Sequence, residues 1–143
     1  MRVKILSLIL ILLSPALSGT SFADTKATAT PFVMQLTRSG DNYGHRRAFL
    51  QIDKVLDGLG EDKLHIVVVA YEEGIQALTA ENKETAQLLT KLANRGVVFR
   101  ACRISMRAWE LTEQDFPLEV EYVPAGAPEV IRLQLAGYKY WKP

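Results

Sequence analysis

"LHIVVVA", residues 64–70, decides the fold class. It is a continuous apolar run dominated by valine, without the alternation of a strand that faces water on one side. Strands covered on both faces read this way, and in sheets such cover comes from helices packed above and below. Downstream, the apolar set of residues 82–95 is Ala86, Leu89, Leu92 and Ala93, with Leu88 beside it, which is helical spacing. Gly96 stands where a helix C-terminal glycine belongs. "VVFRAC", 97–102, is then a further strand, and "ISMRAWEL" after it a short helix. Upstream, "PFVMQLT", 31–37, reads as a strand. Residues 46–59 carry Phe49, Ile52, Leu56 and Leu59 at helical spacing and end at Gly58 or Gly60.

The same alternation runs to the end of the chain. Residues 74–78 suit a short helical turn. "LEVEYV", 118–123, suits a strand near an edge, and a helix is predicted over 128–136 with Pro128 in its first turn. Gly137 stops it, and "YKYWKP" is a last short strand. Strands alternating with helices predict an α/β domain: three layers, α/β/α, around an open, mostly parallel sheet of about five strands. Ligands of such sheets bind at the carboxyl ends of the strands.

Residues 1–23 are set apart. Arg2 and Lys4 precede the apolar run Ile5–Leu13, followed by Pro15, Ser18 and Gly19 and the small-x-small triplet Ser21-Phe22-Ala23. This is the layout of a secretory signal peptide cleaved near Ala23, so a periplasmic or secreted protein is expected. The rival reading is an uncleaved anchor, but about nine apolar residues fall short of the roughly 20 that span a bilayer. Residues 24–30 form a flexible lead-in to a single domain over 31–143. Removing the leader leaves 120 residues, with 15 basic side chains against 16 acidic and a formal charge of −1. Such a balance gives no electrostatic footprint for nucleic acid or an anionic membrane, and no stable membrane insertion is expected after cleavage.

The chemistry then narrows to Cys102, the single cysteine. It cannot form an internal disulfide, and in an oxidising compartment an unpaired thiol is either buried or used. One reading is a small core residue. The other follows from its place at the carboxyl end of a strand just before a helix. Unpaired N–H groups and a partial positive charge there lower a thiol pKa, and the thiolate is the form that attacks or carries sulfur. Arg100, two residues back on the strand, shares its face, and Arg103 and Arg107 lie close by; each is equally readable as a solvated charge. Glu72 and Glu73 follow the second strand at the same sheet edge, where they could orient a base or bind a cation. His45 lies in the loop after the first strand, within possible reach of Cys102, and His65 opens a buried strand. The histidines lack metal-ligand spacing, one cysteine cannot build a structural zinc site, and "GLGED" lacks the lysine and hydroxyl of a phosphate loop. No cofactor and no metal are expected.

Three stretches carry a resemblance. "HIVVVAYEEGIQAL", "LTKLANRGVVFRACRISM" and "YVPAGAPEVIRLQLAGYKYWKP" resemble the DsrE/DsrF-like family of sulfur-relay proteins. The resemblance implies a three-layer α/β/α fold and homo-oligomers. It also implies, for some members, sulfur carried as a cysteine persulfide between donor and acceptor proteins. Carried over, the persulfide position is Cys102. Two places depart: Ala70-Tyr71 stands where many relatives have His-Gly, and Ile104-Ser105, displaced by Arg103, where they have an Asn-Thr-like pair after the cysteine. The alternative is a non-catalytic binding or assembly domain. In that reading Cys102 is packing, and Trp109, Tyr138, Tyr140 and Trp141 build an interface.

Overall fold

The computed structural model describes residues 28–40 and 44–143. The leader and cleavage site expected from the sequence lie outside the described residues, as does most of the expected lead-in. Five strands form one sheet: β1 (Thr30–Leu36), β2 (Leu64–Ala70), β3 (Val98–Cys102), β4 (Val120–Val123) and β5 (Lys139–Trp141). Among the described residues four α-helices accompany them: α1 (Gly44–Leu59), α2 (Ala86–Asn94), α3 (Arg103–Ala108) and α4 (Gly126–Leu135). Strand order is β4-β3-β2-β1-β5, and every pairing is parallel, so the expected mostly parallel sheet is parallel throughout.

This order explains the layers. From β1 to β4 each strand adds on the same side of its predecessor, and the chain then returns across the sheet to place β5 beside β1. Right-handed crossovers that run in opposite directions put their helices on opposite faces. The larger core lies between the sheet and α1 and α2. Met34, Leu36, Ile66, Val68, Phe99 and Ala101 meet Phe49, Ile52, Leu56, Leu89 and Leu92 there. The smaller core lies under α4, where Val130 and Leu133 cover Val33, Val67 and Val69. The valine run of β2 serves both cores, because alternate side chains point to opposite faces.

Boundaries differ from the sequence reading for local reasons. Residues 82–85 are a turn, since Asn82 and Thr85 spend their side chains on carbonyls of the preceding 3-10 segment, Glu72–Leu78. Asn82 Nδ2 donates to Gln76 O at 3.1 Å, and Thr85 Oγ1 to Ala77 O at 2.8 Å. Competition of this kind delays helix entry. β4 begins at Val120, because the Val120 N–H closes a turn onto Pro117 O at 3.1 Å. α4 begins two residues before Pro128, which is tolerated because first-turn N–H groups have no partner inside the helix. Gly96 and Gly137 end α2 and α4 with φ of 86° and 94°, the left-handed geometry of terminal glycines.

Among the described residues, no helix is long and apolar enough to cross a membrane. Of the four aromatics considered for an interface, Trp109 and Tyr140 are exposed. Tyr138 packs beside the α4 core, and Trp141 lies against the larger one.

Candidate functional site

The reversal of direction places two helix starts at one point on the sheet rim. β3 leads into α3, with Met106 in the larger core, while β4 leads into α4 on the opposite face. Between them sits Cys102, the last residue of β3 and the N-cap of α3. The Gly126 N–H, at the start of α4, donates to Cys102 Sγ at 3.2 Å. The sulfur is therefore set between the positive ends of two helices, one carrying its own chain onward and one arriving from the neighbouring strand.

Burial pushes the Cys102 thiol up, and hydrogen-bond donors more than offset it. The Ser105 N–H and hydroxyl, the Gly126 N–H and the Ile104 N–H together hold the thiol below its ordinary value. The α3 N–H groups close no capping bond onto the side chain; they act as oriented donors that favour its ionised form. Cys102 is only 3% exposed, so the sulfur lies beneath the rim and not open on it.

Ser105 is itself held. The Glu72 N–H donates to Ser105 Oγ at 2.8 Å, which leaves the hydroxyl hydrogen free to serve another acceptor. Glu72 takes φ of 52°, a left-handed conformation that costs a non-glycine residue roughly 1–2 kcal/mol. Its backbone thus contributes to the site, while its carboxylate, like that of Glu73, points to solvent.

The other residues singled out from sequence are engaged elsewhere. Arg100 shares the Cys102 face, but its guanidinium pairs with Glu121 at 2.9 Å and with the buried Glu129 at 2.6 Å. Glu129 also holds Arg132 at 2.7 Å, and these cations keep its carboxyl below the usual range against the opposing effect of burial. Arg103 pairs with Glu113 at 2.6 Å and lies 5.1 Å from the Tyr122 ring centroid. Both guanidinium charges are largely spent on carboxylates. His45 is buried in the first turn of α1, and its Nε2–H donates to Arg38 O at 2.8 Å, tying down the chain after β1. His65 stacks edge-on against Tyr138 at 5.8 Å. No cluster that could hold a metal is found among the described residues.

Sequence reasoning passed over Gly126, Ser105 and Tyr71 as site residues. A signal was present for Gly126: a glycine between alanines at the mouth of a helix, in "PAGAPE", marks a close approach. A Cβ there would stand 2.5 Å from Tyr71 Cδ1 and 2.6 Å from Cγ, so only glycine lets α4 sit on that ring.

Residues 21–143 match the DsrE/DsrF-like family. Among solved structures, the chain is similar to a protein of unknown function, MTH1491 from Methanobacterium thermoautotrophicum. The two share 26% identity with a TM-score of 0.69, over 80% of this chain and 99% of that one. No curated protein sequence matches. With the family matched along all of the described residues and the same fold found in a solved structure, this chain belongs to the DsrE/DsrF-like family.

Proposed function

We propose that this protein carries sulfur as a persulfide on Cys102, in the manner of a sulfur relay, after export through the N-terminal leader. The single observation that carries the reading is the Gly126 N–H on Sγ at 3.2 Å, with the α3 donors beside it. Family membership supports the class of chemistry. In the loading step the Cys102 thiolate attacks the outer sulfur of a sulfane donor such as thiosulfate. A Cys102 S–S bond forms, the donor S–S bond breaks, and sulfite leaves with the electron pair. No external oxidant is needed. The N–H donors that hold the thiolate also suit the persulfide anion that replaces it.

The experiment is intact-mass analysis after incubation with thiosulfate or a low-molecular-weight persulfide. The wild-type chain is expected to gain one sulfur atom, removable by a reductant. The Cys102→Ser variant is expected to gain none, with its fold unchanged by circular dichroism. Equal labelling of both proteins overturns the proposal.

A second reading is favoured by two observations. The sulfur is 3% exposed, and α4 presents Ile131 and Leu135, 56% and 85% exposed, one helical turn apart on its outer side. In that reading the protein is an assembly domain, α4 meets a further copy of the chain, and Cys102 is packing. Alkylation of Cys102 only after unfolding would favour it over the relay.

A further inference from the structure

Four polar or reactive side chains form a diagonal row over four adjacent strands, from the carboxyl end of β3 to the level of mid-β1 on β5. Extending the β2–β3 register one step past Ala70 and Ala101 sets Tyr71 beside Cys102. Tyr71 is still extended, with φ −151° and ψ 175°, and its N–H continues the sheet onto Leu36 O at 3.1 Å. It therefore shares the α4 face with Val67, Val69 and Cys102. Gln35 of β1 pairs in register with Val69, and Tyr140 of β5 pairs with Val33, which places both on the same face.

The row is joined by hydrogen bonds. Tyr140 O–H donates to Gln35 Oε1, and Gln35 Nε2–H donates to the Tyr71 hydroxyl oxygen. The amide of Gln35 is thus oriented at both ends. Burial first, and then the nearby Glu72 carboxylate, raise the Tyr71 hydroxyl above its ordinary value, so it stays neutral. Its side chain lies close against Gly126, the residue whose N–H holds the sulfur. Tyr71 therefore walls the β2 side of Cys102, and α3 and α4 wall the others.

A thiol 3% exposed cannot meet a donor unless one wall moves. The helices are anchored by Met106, Val130 and Leu133 in the two cores. Tyr71 is tethered at its outer end by one hydrogen bond, which leads to a half-exposed tyrosine on a three-residue edge strand. The next residue, Glu72, already holds a left-handed backbone. We propose that Tyr71 is a latch over Cys102, closed through Gln35 and Tyr140 and opened by release of that chain. The edge strand β5 then controls access to the thiol from the far edge of the sheet. The inference rests on the sulfur-carrier reading for its purpose, but its geometry is independent of it.

The test is the rate of Cys102 alkylation in the folded protein across pH, for wild type, Tyr71→Phe and Tyr140→Phe. The plateau at high pH reports access, and the midpoint reports ionisation. Both variants are expected to raise the plateau about tenfold, the effect of losing one hydrogen bond from a closed state, with the midpoint unmoved. Tyr140 lies far along the row from the sulfur, so an effect there cannot be a local change at the thiol. Plateau rates within about twofold of wild type in both variants would overturn the latch, and so would a thiol inert to alkylation in all three folded proteins. Alkylation needs no sulfur donor. A protein whose variants open but which refuses persulfide sulfur would sink the carrier reading and leave the latch standing.

Discussion

Gly126→Ala is expected to destabilise the protein by about 1–3 kcal/mol and, with that loss, either to raise the pKa of Cys102 or to uncover its sulfur. A Cβ at this position would meet Tyr71 Cδ1, Cγ and Cβ at 2.5, 2.6 and 2.7 Å, contacts no side chain tolerates. Overpacking of this kind costs about 1–3 kcal/mol because neighbours must leave their rotamers. Here the neighbours are a latched ring on one side and the start of α4 on the other. If α4 yields, the Gly126 N–H leaves Sγ and one of the donors that offset burial is lost. If Tyr71 yields, the sulfur is uncovered instead. Urea denaturation with a thiol titration of the folded variant separates these outcomes. Unchanged stability with an unchanged thiol midpoint would show that α4 does not rest on Tyr71.

Phe99→Ala carries the larger effect on the fold. Phe99, the second residue of β3, is fully buried, and its ring meets that of Phe49 on α1 at a centroid distance of 5.3 Å. Truncating a core aromatic removes transfer free energy and leaves a cavity that neighbours fill only in part, at a cost of about 3–5 kcal/mol. The strands around it, paired along their length and packed beneath α1, leave little room for collapse. Such a loss is a large share of the 5–15 kcal/mol that single domains possess, so the variant is expected to melt far below wild type. A change under about 1 kcal/mol in chemical denaturation would contradict a core built around this pair.

Much of the architecture was legible in the chain itself, because it is written in local patterns. The valine run of β2 demands cover on both faces. The spacing of Phe49, Ile52 and Leu56 demands one buried helix stripe, and Gly96 and Gly137 supply the left-handed exits of two helices. His45 belongs to that same α1 stripe, which its polarity concealed. The position of Cys102 at the end of β3 was legible for the same reason.

The environment of the thiol was far less so. Gly126 lies 24 residues from Cys102, and their meeting depends on α4 crossing back over the sheet, a property of strand order. The row from Cys102 through Tyr71 and Gln35 to Tyr140 exists only in the register of four parallel strands. Arginines beside a cysteine suggested a source of positive potential. Their carboxylate partners, Glu113, Glu121 and Glu129, come from later elements and were not visible beside them. Backbone N–H groups, which no side-chain motif records, supply most of what those charges were expected to provide.

The claim on which the functional reading stands is that the folded protein holds Cys102 as a thiolate at a pH where a free cysteine is still mostly protonated. Thiolate ultraviolet absorbance, followed across pH in the folded wild type with Cys102→Ser as the blank, measures this directly. The account predicts a single titration with its midpoint below the ordinary cysteine value of about 8.5, displaced downward by the donors around Sγ. A midpoint at or above that value, in protein that remains folded throughout, would contradict it.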